Sequence, residues 1–271
     1  MAEIASVVFA AGKGTRMTGY KGNKTLLPLF AGASLYEGHR PLIREVLDNL
    51  PAGPKRIVIN HCAADVRAAT RGPGIEYILQ PQTNGTGGAL LAARAFLEST
   101  RPGLVIITMG DVPLIRQYTY RSLIERLGTC QMAVLAFEPK DRAQYGMLEL
   151  DGKKVVRIVE WSEWSSDKFP PERREALRYC NAGVYAVKRP VLLNYIQKLS
   201  DRSHVVRKTI DGREVAIREY FITDLIEMMN ADGLPIGYET APEEEVIGVD
   251  TPESLDLVQR LYSDILTGGR K

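Results

Sequence analysis

The stretch IASVVFAAGKGTRM, residues 4–17, decides how this chain folds. It begins with a near-continuous apolar run over residues 4–11, which is typical of a strand covered on both faces. Gly12 and Gly14 follow directly, and glycine conformations let main-chain N–H groups approach a ligand closely. Lys13 and Arg16 add positive charge to a loop of the kind that cradles phosphates. The stretch therefore predicts a buried strand that ends in a phosphate-binding loop.

Downstream of this loop, short apolar runs alternate with helical patterns, and Pro41 is expected to open a helix. Further strands are expected over residues 56–60, 75–80 and 104–109, and further helices near residues 63–70 and 87–98. This alternation favours an α/β fold with a doubly wound, Rossmann-like sheet that is mixed but mostly parallel. Ligands bind such sheets at the carboxyl ends of the strands.

The middle of the chain is richer in strands. They are expected over residues 132–137, 146–150, 155–159 and 181–187, and Asp151-Gly152 is a hairpin signal. Residues 162–178 are polar and predict a loop with a short helix. These segments predict a β-rich lobe on the α/β core.

The last part of the chain returns to helical patterns. Apolar spacing from Ile222 to Met229 predicts one helix, and Thr251-Pro252 supplies an N-cap and a first-turn proline for another. Residues 268–271 are expected to fray. The sequence has no internal repeats and no long linker, so we expect one domain over residues 1–271. Its α/β core is expected at about residues 1–135 and 223–265, and its β-rich lobe at about residues 136–222.

Composition narrows the function classes. The 271 residues include 35 Lys and Arg against 33 Asp and Glu, a net charge of +2, whereas a dedicated nucleic-acid binder needs a clearer basic surplus. No apolar run approaches the ~20 residues of a membrane span, and the start lacks the basic region of a signal peptide. We therefore expect a cytoplasmic protein with no nucleic-acid or membrane partner; the oligomeric state stays open.

The cysteines and histidines carry no metal-binding pattern. Cys62, Cys130 and Cys180 are far apart and odd in number, which favours buried reduced thiols over a disulfide framework or a zinc cluster. The three histidines, His39, His61 and His204, have no carboxylate or cysteine partner at ligand spacing and are assigned no role.

The glycine loop departs from two familiar motifs. The nucleotide-binding P-loop needs four residues between its glycines followed by Lys-Ser/Thr, and the dinucleotide fingerprint needs a third glycine where Met17 stands. Instead, AAGKGTRM followed by Lys24 resembles the sugar-1-phosphate nucleotidyltransferases. The likeness is closest to the uridyltransferase domains of bifunctional N-acetylglucosamine-1-phosphate uridyltransferase/glucosamine-1-phosphate acetyltransferases.

Other motifs agree with this family in the same order, from about residue 4 to residue 262. They are Gln80 with residues 85–89 (GTGGA), residues 110–114 (GDVPL), Tyr145-Gly146, residues 158–160 (IVE), residues 181–185 (NAGVY), residues 220–224 (YFITD) and residues 248–250 (GVD). Asn23 stands where the family usually has proline, and Asp250 where the bifunctional enzymes usually have asparagine. Because the chain contains no hexapeptide-repeat array, we expect no acetyltransferase activity.

The resemblance implies an enzyme that joins UTP to a sugar 1-phosphate, with N-acetylglucosamine 1-phosphate favoured, and releases pyrophosphate. Arg16 and Lys24 are the implied catalytic residues. Asp111 and Asp250 would hold Mg²⁺, with Mn²⁺ as a substitute, because hard oxygen ligands suit these ions. The implied nucleotide-binding residues are Ala11, Gly12, Lys13, Gly14, Gln80, Gly85 and Thr86, and the implied sugar-binding residues are Gly146, Glu160, Asn181 and Thr223.

Three questions stay open at this point. Another base, sugar or alcohol phosphate would suit the same reaction class, and a non-catalytic nucleotide-sugar sensor would suit the same scaffold. Trp161 and Trp164 either flank the sugar or pack the lobe, and packing is favoured. Met147 stands where the family often has arginine and Trp161 where it often has histidine, so both bear on the choice of sugar.

Overall fold

The computed structural model describes residues 3–210 and 213–268, and within these ranges strands and helices alternate. The strands are β1 (Ile4–Ala10), β2 (Pro28–Ala31), β3 (Gly38–Pro41), β4 (Lys55–Ile59), β5 (Ile75–Leu79), β6 (Leu104–Met109), β7 (Met132–Phe137), β8 (Met147–Asp151), β9 (Lys154–Val159), β10 (Cys180–Lys188), β11 (His204–Ile210), β12 (Arg213–Glu219) and β13 (Ile236–Thr240). The α-helices are α1 (Leu42–Asn49), α2 (Ala63–Thr70), α3 (Gly85–Ala92), α4 (Arg94–Ser99), α5 (Gln117–Glu125), α6 (Trp161–Trp164), α7 (Pro171–Ala176), α8 (Arg189–Ser200), α9 (Asp224–Ala231) and α10 (Pro252–Leu266).

The central sheet is mixed and mostly parallel, as the sequence predicts. Its order is β13-β7-β10-β6-β1-β4-β5. β1 pairs in parallel with β4 and β6, whereas β10 runs antiparallel between β6 and β7. The strand order therefore reverses at β1, which places a ligand-binding crevice at the carboxyl end of this strand.

The apolar run of β1 is buried on both faces, as predicted. Val7 and Phe9 belong to the hydrophobic core on one side of the sheet, and Val8 and Ala10 belong to the core on the other side. A third cluster packs α10 against β2 and α1 through Val258, Leu29 and Leu42. These cores fix the strand ends from which the loops of the site emerge.

The predicted β-rich middle forms an extension of the same sheet. β8 pairs with β9 as the Asp151-Gly152 hairpin predicts, and Met147 at the start of β8 pairs with Cys180 at the start of β10. Residues 162–178 contain two short helices, α6 and α7, rather than one.

Several boundaries differ from the sequence expectation. α1 begins at Leu42, because Pro41 ends β3 and caps the helix. The helix expected near residues 87–98 divides at Ala93 into α3 and α4. The elements that the sequence patterns did not reveal are the β2–β3 pair, α5, α8, the β11–β12 pair and β13. Residues 269–271, most of the end expected to fray, lie outside the described residues.

The sequence also predicts the absence of a membrane-spanning segment and the burial of the cysteines. Across residues 3–210 and 213–268, no helix is long and apolar enough to span a bilayer. Cys130 and Cys180 are buried free thiols as predicted, whereas Cys62 is half-buried.

Candidate functional site

The loops that follow β1, β4, β5 and β6 meet at one edge of the sheet, because these four strands are parallel neighbours. A cavity of about 870 Å³ opens there. Its walls are the glycine loop, the turn that carries Lys24, the segment from Gln80 to α3, the end of β6 with Asp111, and part of β12. The crevice expected at the carboxyl end of β1 is therefore present.

Gly12 and Gly14 have different surroundings, which explain in different ways why each position is glycine. Gly14 has φ +61°, and a Cβ there would lie 3.3 Å from the Lys24 side chain. A Cβ on Gly12 would meet no protein atom within 4 Å, although Gly12 lines the cavity. The positive φ and the nearby Lys24 side chain thus explain why position 14 is glycine. The open space at Gly12 instead suits close approach of a ligand.

Lys24 lies at the charged end of the cavity and joins two carboxylates. Its ammonium contacts Asp111 Oδ2 and Asp250 Oδ1, and the side chains of Lys24 and Asp111 are only 16% and 13% exposed. Burial disfavours the charged ammonium, but Asp111 and then Asp250 outweigh this effect and raise the pKa of Lys24 above its ordinary value. The two carboxylates therefore favour the charged form of Lys24.

Asp250 reaches this position through the backbone before α10. Val249 N donates to Asp111 O at 2.9 Å, which joins the two aspartate segments. Asp250 N donates to Ser254 Oγ at 3.0 Å, and Thr251 and Ser254 form the capping box that begins α10.

Arg16 contacts the same carboxylate from the solvent side. Its Nη2 lies 2.9 Å from Asp250 Oδ2, and its side chain is 59% exposed. Burial alone would raise the pKa of Asp250, but Lys24 and then Arg16 hold that pKa below its usual range. Four side chains predicted from sequence, Arg16, Lys24, Asp111 and Asp250, thus form one ion network.

The expected base-reading residues lie on the opposite wall of the cavity. Gln80 is 3% exposed, and its Nε2 donates to Asn84 Oδ1 at 3.0 Å and to Gly85 O at 3.3 Å. These bonds hold the Gln80 amide in one orientation at the start of α3. Gly85 has φ +90°, and a Cβ there would lie 2.4 Å from Tyr220 O, so only glycine fits this approach.

Backbone hydrogen bonds connect residues 220–222 to this wall of the cavity. Tyr220 N donates to Asn84 O at 2.9 Å, and Gly87 N donates to Tyr220 O at 2.8 Å. Ile222 N donates to Thr86 Oγ1 at 3.2 Å. The Thr86 hydroxyl therefore joins α3 to the segment that carries Thr223.

Three of the four expected sugar-binding residues lie together beyond this segment. Thr223 Oγ1 donates to Glu160 Oε1 at 3.0 Å, and a Cβ on Gly146 would lie 3.3 Å from Glu160 Oε2. Glu160 is exposed at the surface of the lobe. The surrounding protein nevertheless removes part of the hydration of its carboxylate, which raises the pKa of Glu160, and the Thr223 bond opposes this only in part.

Asn181 adjoins this group through its backbone, since Asn181 N donates to Gly146 O at 2.8 Å. Both polar ends of its side chain are used within the chain. Asn181 Nδ2 donates to Tyr185 Oη at 2.8 Å, and Gly183 N donates to Asn181 Oδ1 at 3.0 Å. These bonds support the irregularity in β10 between Asn181 and Tyr185.

The tryptophans and Met147 occupy different environments. Trp164 Nε1 donates to Tyr145 O at 2.9 Å, so Trp164 packs the lobe, as expected. Trp161 is 41% exposed. Met147 is fully buried against Cys180 Sγ, so it is a core residue of the lobe.

Some residues of the region escaped the sequence analysis. His204 does have a carboxylate partner, because its Nε2 lies 2.8 Å from Asp224 Oδ2. The centroid of its ring lies 5.0 Å from that of Phe221, with the two rings tilted by 40°. Ile217 and the buried Glu219 of β12 line the cavity. The sequence signal that could have revealed β12 was Asp211-Gly212, the same dipeptide that predicted the β8–β9 hairpin. These two residues lie outside the described residues.

The candidate donors for a divalent cation are two carboxylates that both contact the Lys24 ammonium. In the part of the chain that the structure describes, no group of three or more His, Cys, Asp or Glu side chains is gathered for a metal. Asp111 and Asp250 nevertheless share the Lys24 ammonium. Mg²⁺ is commonly held by one or two carboxylates with substrate phosphates completing its shell, so this pair fits such an ion.

Comparison with known proteins shows the family to which the chain belongs. Residues 6–206 match the sequence profile described as the MobA-like NTP transferase domain. The chain belongs to this family. "Bifunctional protein GlmU" of Ruegeria sp. (strain TM1040) is 32% identical to this NTP transferase over 262 residues, which cover 95% of the chain and 52% of that relative. The protein of the same name from Dinoroseobacter shibae is 34% identical over 264 residues, 96% of the chain and 53% of the relative. The chain thus spans about half the length of these relatives.

Solved structures show the same fold. The uridine diphosphate N-acetylglucosamine pyrophosphorylase from Trypanosoma brucei superimposes with a TM-score of 0.70 at 13% identity, covering 98% of this NTP transferase and 68% of that chain. The CMP:2-keto-3-deoxy-manno-octonic acid synthetase gives a TM-score of 0.63 at 17% identity, covering 97% and 100%. At these identities the likeness concerns the fold alone.

Proposed function

We propose that this NTP transferase joins UTP to N-acetylglucosamine 1-phosphate and yields a UDP-sugar and pyrophosphate. The observation that carries the proposal is the ion network of Arg16, Lys24, Asp111 and Asp250 at the end of the 870 Å³ cavity. The GlmU likeness over nearly the whole chain supports the same choice.

The reaction we infer is an in-line displacement at the α-phosphorus of the nucleotide. The attacking sugar-phosphate oxygen is already ionised at neutral pH, so no side chain has to remove a proton. The protein must hold two polyanions together and neutralise the charge that grows on the transferring phosphoryl group.

The positive side chains have separate tasks in this proposal. Backbone N–H groups of residues 11–16 and the Lys13 ammonium hold the β- and γ-phosphates. Lys24, which is buried and fixed, meets the α-phosphate, and Arg16 offers a planar fork from the solvent side. Both groups stabilise the transition state because the charge they meet is largest there.

Asp111 and Asp250 would hold Mg²⁺, and Mn²⁺ could replace it. A bound divalent ion would neutralise phosphate charge and bring the two substrates together. Within the chain itself, Asp111 and Asp250 hold Lys24 and Arg16 in place.

The lobe at about residues 136–222, together with Thr223, would bind the sugar. Glu160 would accept a sugar hydroxyl, and the absence of a side chain at Gly146 lets the backbone lie close to Ile158 and to the Glu160 carboxylate. Asn181, with its side chain engaged by Tyr185 and Gly183, would act through the position of its backbone or after giving up one of these bonds. Gln80, Gly85 and Thr86 would read the uracil edge.

A substrate matrix tests this proposal. We expect pyrophosphate release with UTP to exceed that with CTP or dTTP, because a mismatched base leaves buried groups unpaired at about 1–3 kcal/mol each. We expect N-acetylglucosamine 1-phosphate to exceed glucose 1-phosphate, and a chelator to abolish turnover. Equal kcat/KM for both sugars would remove the sugar assignment. Nucleotide-sugar binding without turnover on any pair would show a sensor instead of an enzyme.

A further inference from the structure

Asn23, directly before Lys24, is completely buried and bonded at both ends of its side-chain amide. Its Nδ2 donates to Ala10 O at 2.7 Å and to His61 O at 2.9 Å. Its Oδ1 accepts from Thr25 N at 3.0 Å and from Thr25 Oγ1 at 2.8 Å. All hydrogen-bonding groups of this side chain are therefore directed to the elements around the glycine loop.

Each bond of Asn23 has a separate structural consequence. The Oδ1 bonds cap the short 3₁₀ helix Lys24–Leu26, which begins with Lys24 itself. The bond to Ala10 attaches this helix to the last residue of β1, immediately before the glycine loop. The bond to His61 attaches it to the turn after β4. One amide thus sets the distance between the Lys24 turn and two strand ends.

We propose that Asn23 is a positioning residue that holds Lys24 in register with the glycine loop and with Asp111 and Asp250. A side chain without an amide could not donate to Ala10 O and His61 O while accepting from Thr25. The Lys24 stem passes close to Gly14, since a Cβ added at Gly14 would lie 3.3 Å from it. The kinetic part of this proposal rests on the proposed function, whereas the position of Lys24 does not.

Gln259 provides a matched control elsewhere in the molecule. It is also buried, and its Nε2 also donates to two backbone carbonyls, Pro28 O at 2.7 Å and Leu35 O at 3.1 Å. Its bonds fasten α10 to the segment around β2 and do not involve Lys24. Replacing either amide with alanine leaves two carbonyls unpaired, and Asn23→Ala also removes the acceptor of Thr25 N and Thr25 Oγ1. Asn23→Ala should therefore lose more thermal stability, and Gln259→Ala shows what the loss of two buried amide–carbonyl bonds does by itself.

The test compares Asn23→Ala with Gln259→Ala by acetylation of Lys24 and by kinetics. With a limiting acetylating reagent and peptide mass spectrometry, we expect Lys24 to react about fivefold faster in Asn23→Ala, the effect of losing a cap of about 1 kcal/mol. In Gln259→Ala the rate should equal that of the parent protein. We also expect Asn23→Ala to lower kcat by about 10- to 100-fold with little change in the KM for nucleotide, as a small displacement of a transition-state group does.

Asn23→Asp adds a readout that general loosening cannot mimic. Aspartate keeps the acceptor for Thr25 but directs an oxygen at the carbonyls of Ala10 and His61, so only its protonated form can donate, and to one of the two carbonyls. The kcat of this variant relative to the parent protein should therefore rise as the pH falls. A Lys24 acetylation rate unchanged in Asn23→Ala, or raised equally in Gln259→Ala, would overturn the proposal. Unchanged acetylation would do so whether or not the enzyme makes a UDP-sugar. Faster acetylation in a chain that lacks nucleotidyl transfer would leave the positioning role standing and remove the proposed function.

Discussion

The two ends of the proposed site are built on different physical principles. At the cavity end, Lys24 and Asp111 are largely buried, and opposite charges hold them with Asp250. At the lobe end, Glu160 is exposed and has one bonded hydroxyl partner, Thr223. Charges fixed before the substrate arrives need no reorganisation during the reaction, so the first end suits transition-state stabilisation. An exposed carboxylate with one neutral partner suits recognition of a sugar hydroxyl.

This contrast predicts that substitutions at the cavity end change turnover, whereas those at the lobe end change substrate choice. Lys24→Ala should have the largest effect, a fall in kcat of about 10³-fold, because it removes the buried charge that we propose meets the α-phosphate. Lys198→Ala is the matched control, since Lys198 also contacts an aspartate, Asp232 at 2.5 Å, but is far more exposed. Steady-state kinetics that show similar kcat for both variants would contradict the assignment of Lys24.

Arg16→Ala should lower kcat by a smaller factor, about 10²-fold, and raise the KM for nucleotide much less. The smaller effect follows from the 59% exposure of the Arg16 side chain, since water partly screens its charge. Arg260→Ala serves as control, because Arg260 also lies 2.9 Å from an aspartate, Asp256 on α10, and is similarly exposed. If Arg16→Ala changes only KM, the arginine binds ground state and transition state equally, and its catalytic role is lost.

Gly12→Ala should impair nucleotide binding without impairing folding. No protein atom lies within 4 Å of the added methyl group, so the melting temperature should not change. The KM for nucleotide should rise about tenfold, equivalent to about 1.4 kcal/mol, if phosphates approach this backbone closely. Gly103→Ala, at a glycine with equally open surroundings outside the cavity, should change neither quantity. A normal KM in Gly12→Ala would show that the loop holds no phosphate at this point.

Glu160→Gln should have the smallest effect on turnover and the clearest effect on pH dependence. The pKa of Glu160 is higher in the folded protein than in the unfolded chain. Ionisation of Glu160 therefore destabilises the folded protein at pH values above the folded-state pKa, and this destabilisation is lost as the pH falls below that pKa. The variant should therefore melt slightly higher at neutral pH and raise the KM for sugar phosphate only. Glu138→Gln should have the opposite sign, because Arg178 lowers the pKa of Glu138 and its stabilising effect is lost on acidification. Parallel melting curves for both variants across pH would contradict this account of Glu160.

Sequence reasoning succeeded where the determining contacts are local. The apolar run of β1, the Asp151-Gly152 turn and the Thr251 cap depend on neighbouring residues, and each was confirmed. The bonds of Asn23 to Ala10 and His61 span 13 and 38 residues, so only the folded chain brings these groups together. The His204–Asp224 contact spans 20 residues and was likewise missed.

In the ion network too, the sequence predicts the residues but not their long-range contacts. Residue types and family likeness suggested Arg16, Lys24, Asp111 and Asp250 one by one. That Lys24 lies between both aspartates, across 226 residues in the case of Asp250, depends on the parallel sheet and on the Val249–Asp111 backbone bond. Motif order could predict the members of this network but not the contacts between them.

Nucleotidyl transfer by this protein can be followed directly through the phosphorus atoms of both substrates by ³¹P NMR. The purified protein is mixed with UTP, N-acetylglucosamine 1-phosphate and Mg²⁺, in parallel with Lys24→Ala. We expect the sugar-phosphate signal to disappear while UDP-sugar and pyrophosphate appear in equal amounts, and we expect the variant to form neither on the same timescale. Pyrophosphate or inorganic phosphate without the UDP-sugar, or equal product formation by Lys24→Ala, would contradict this expectation.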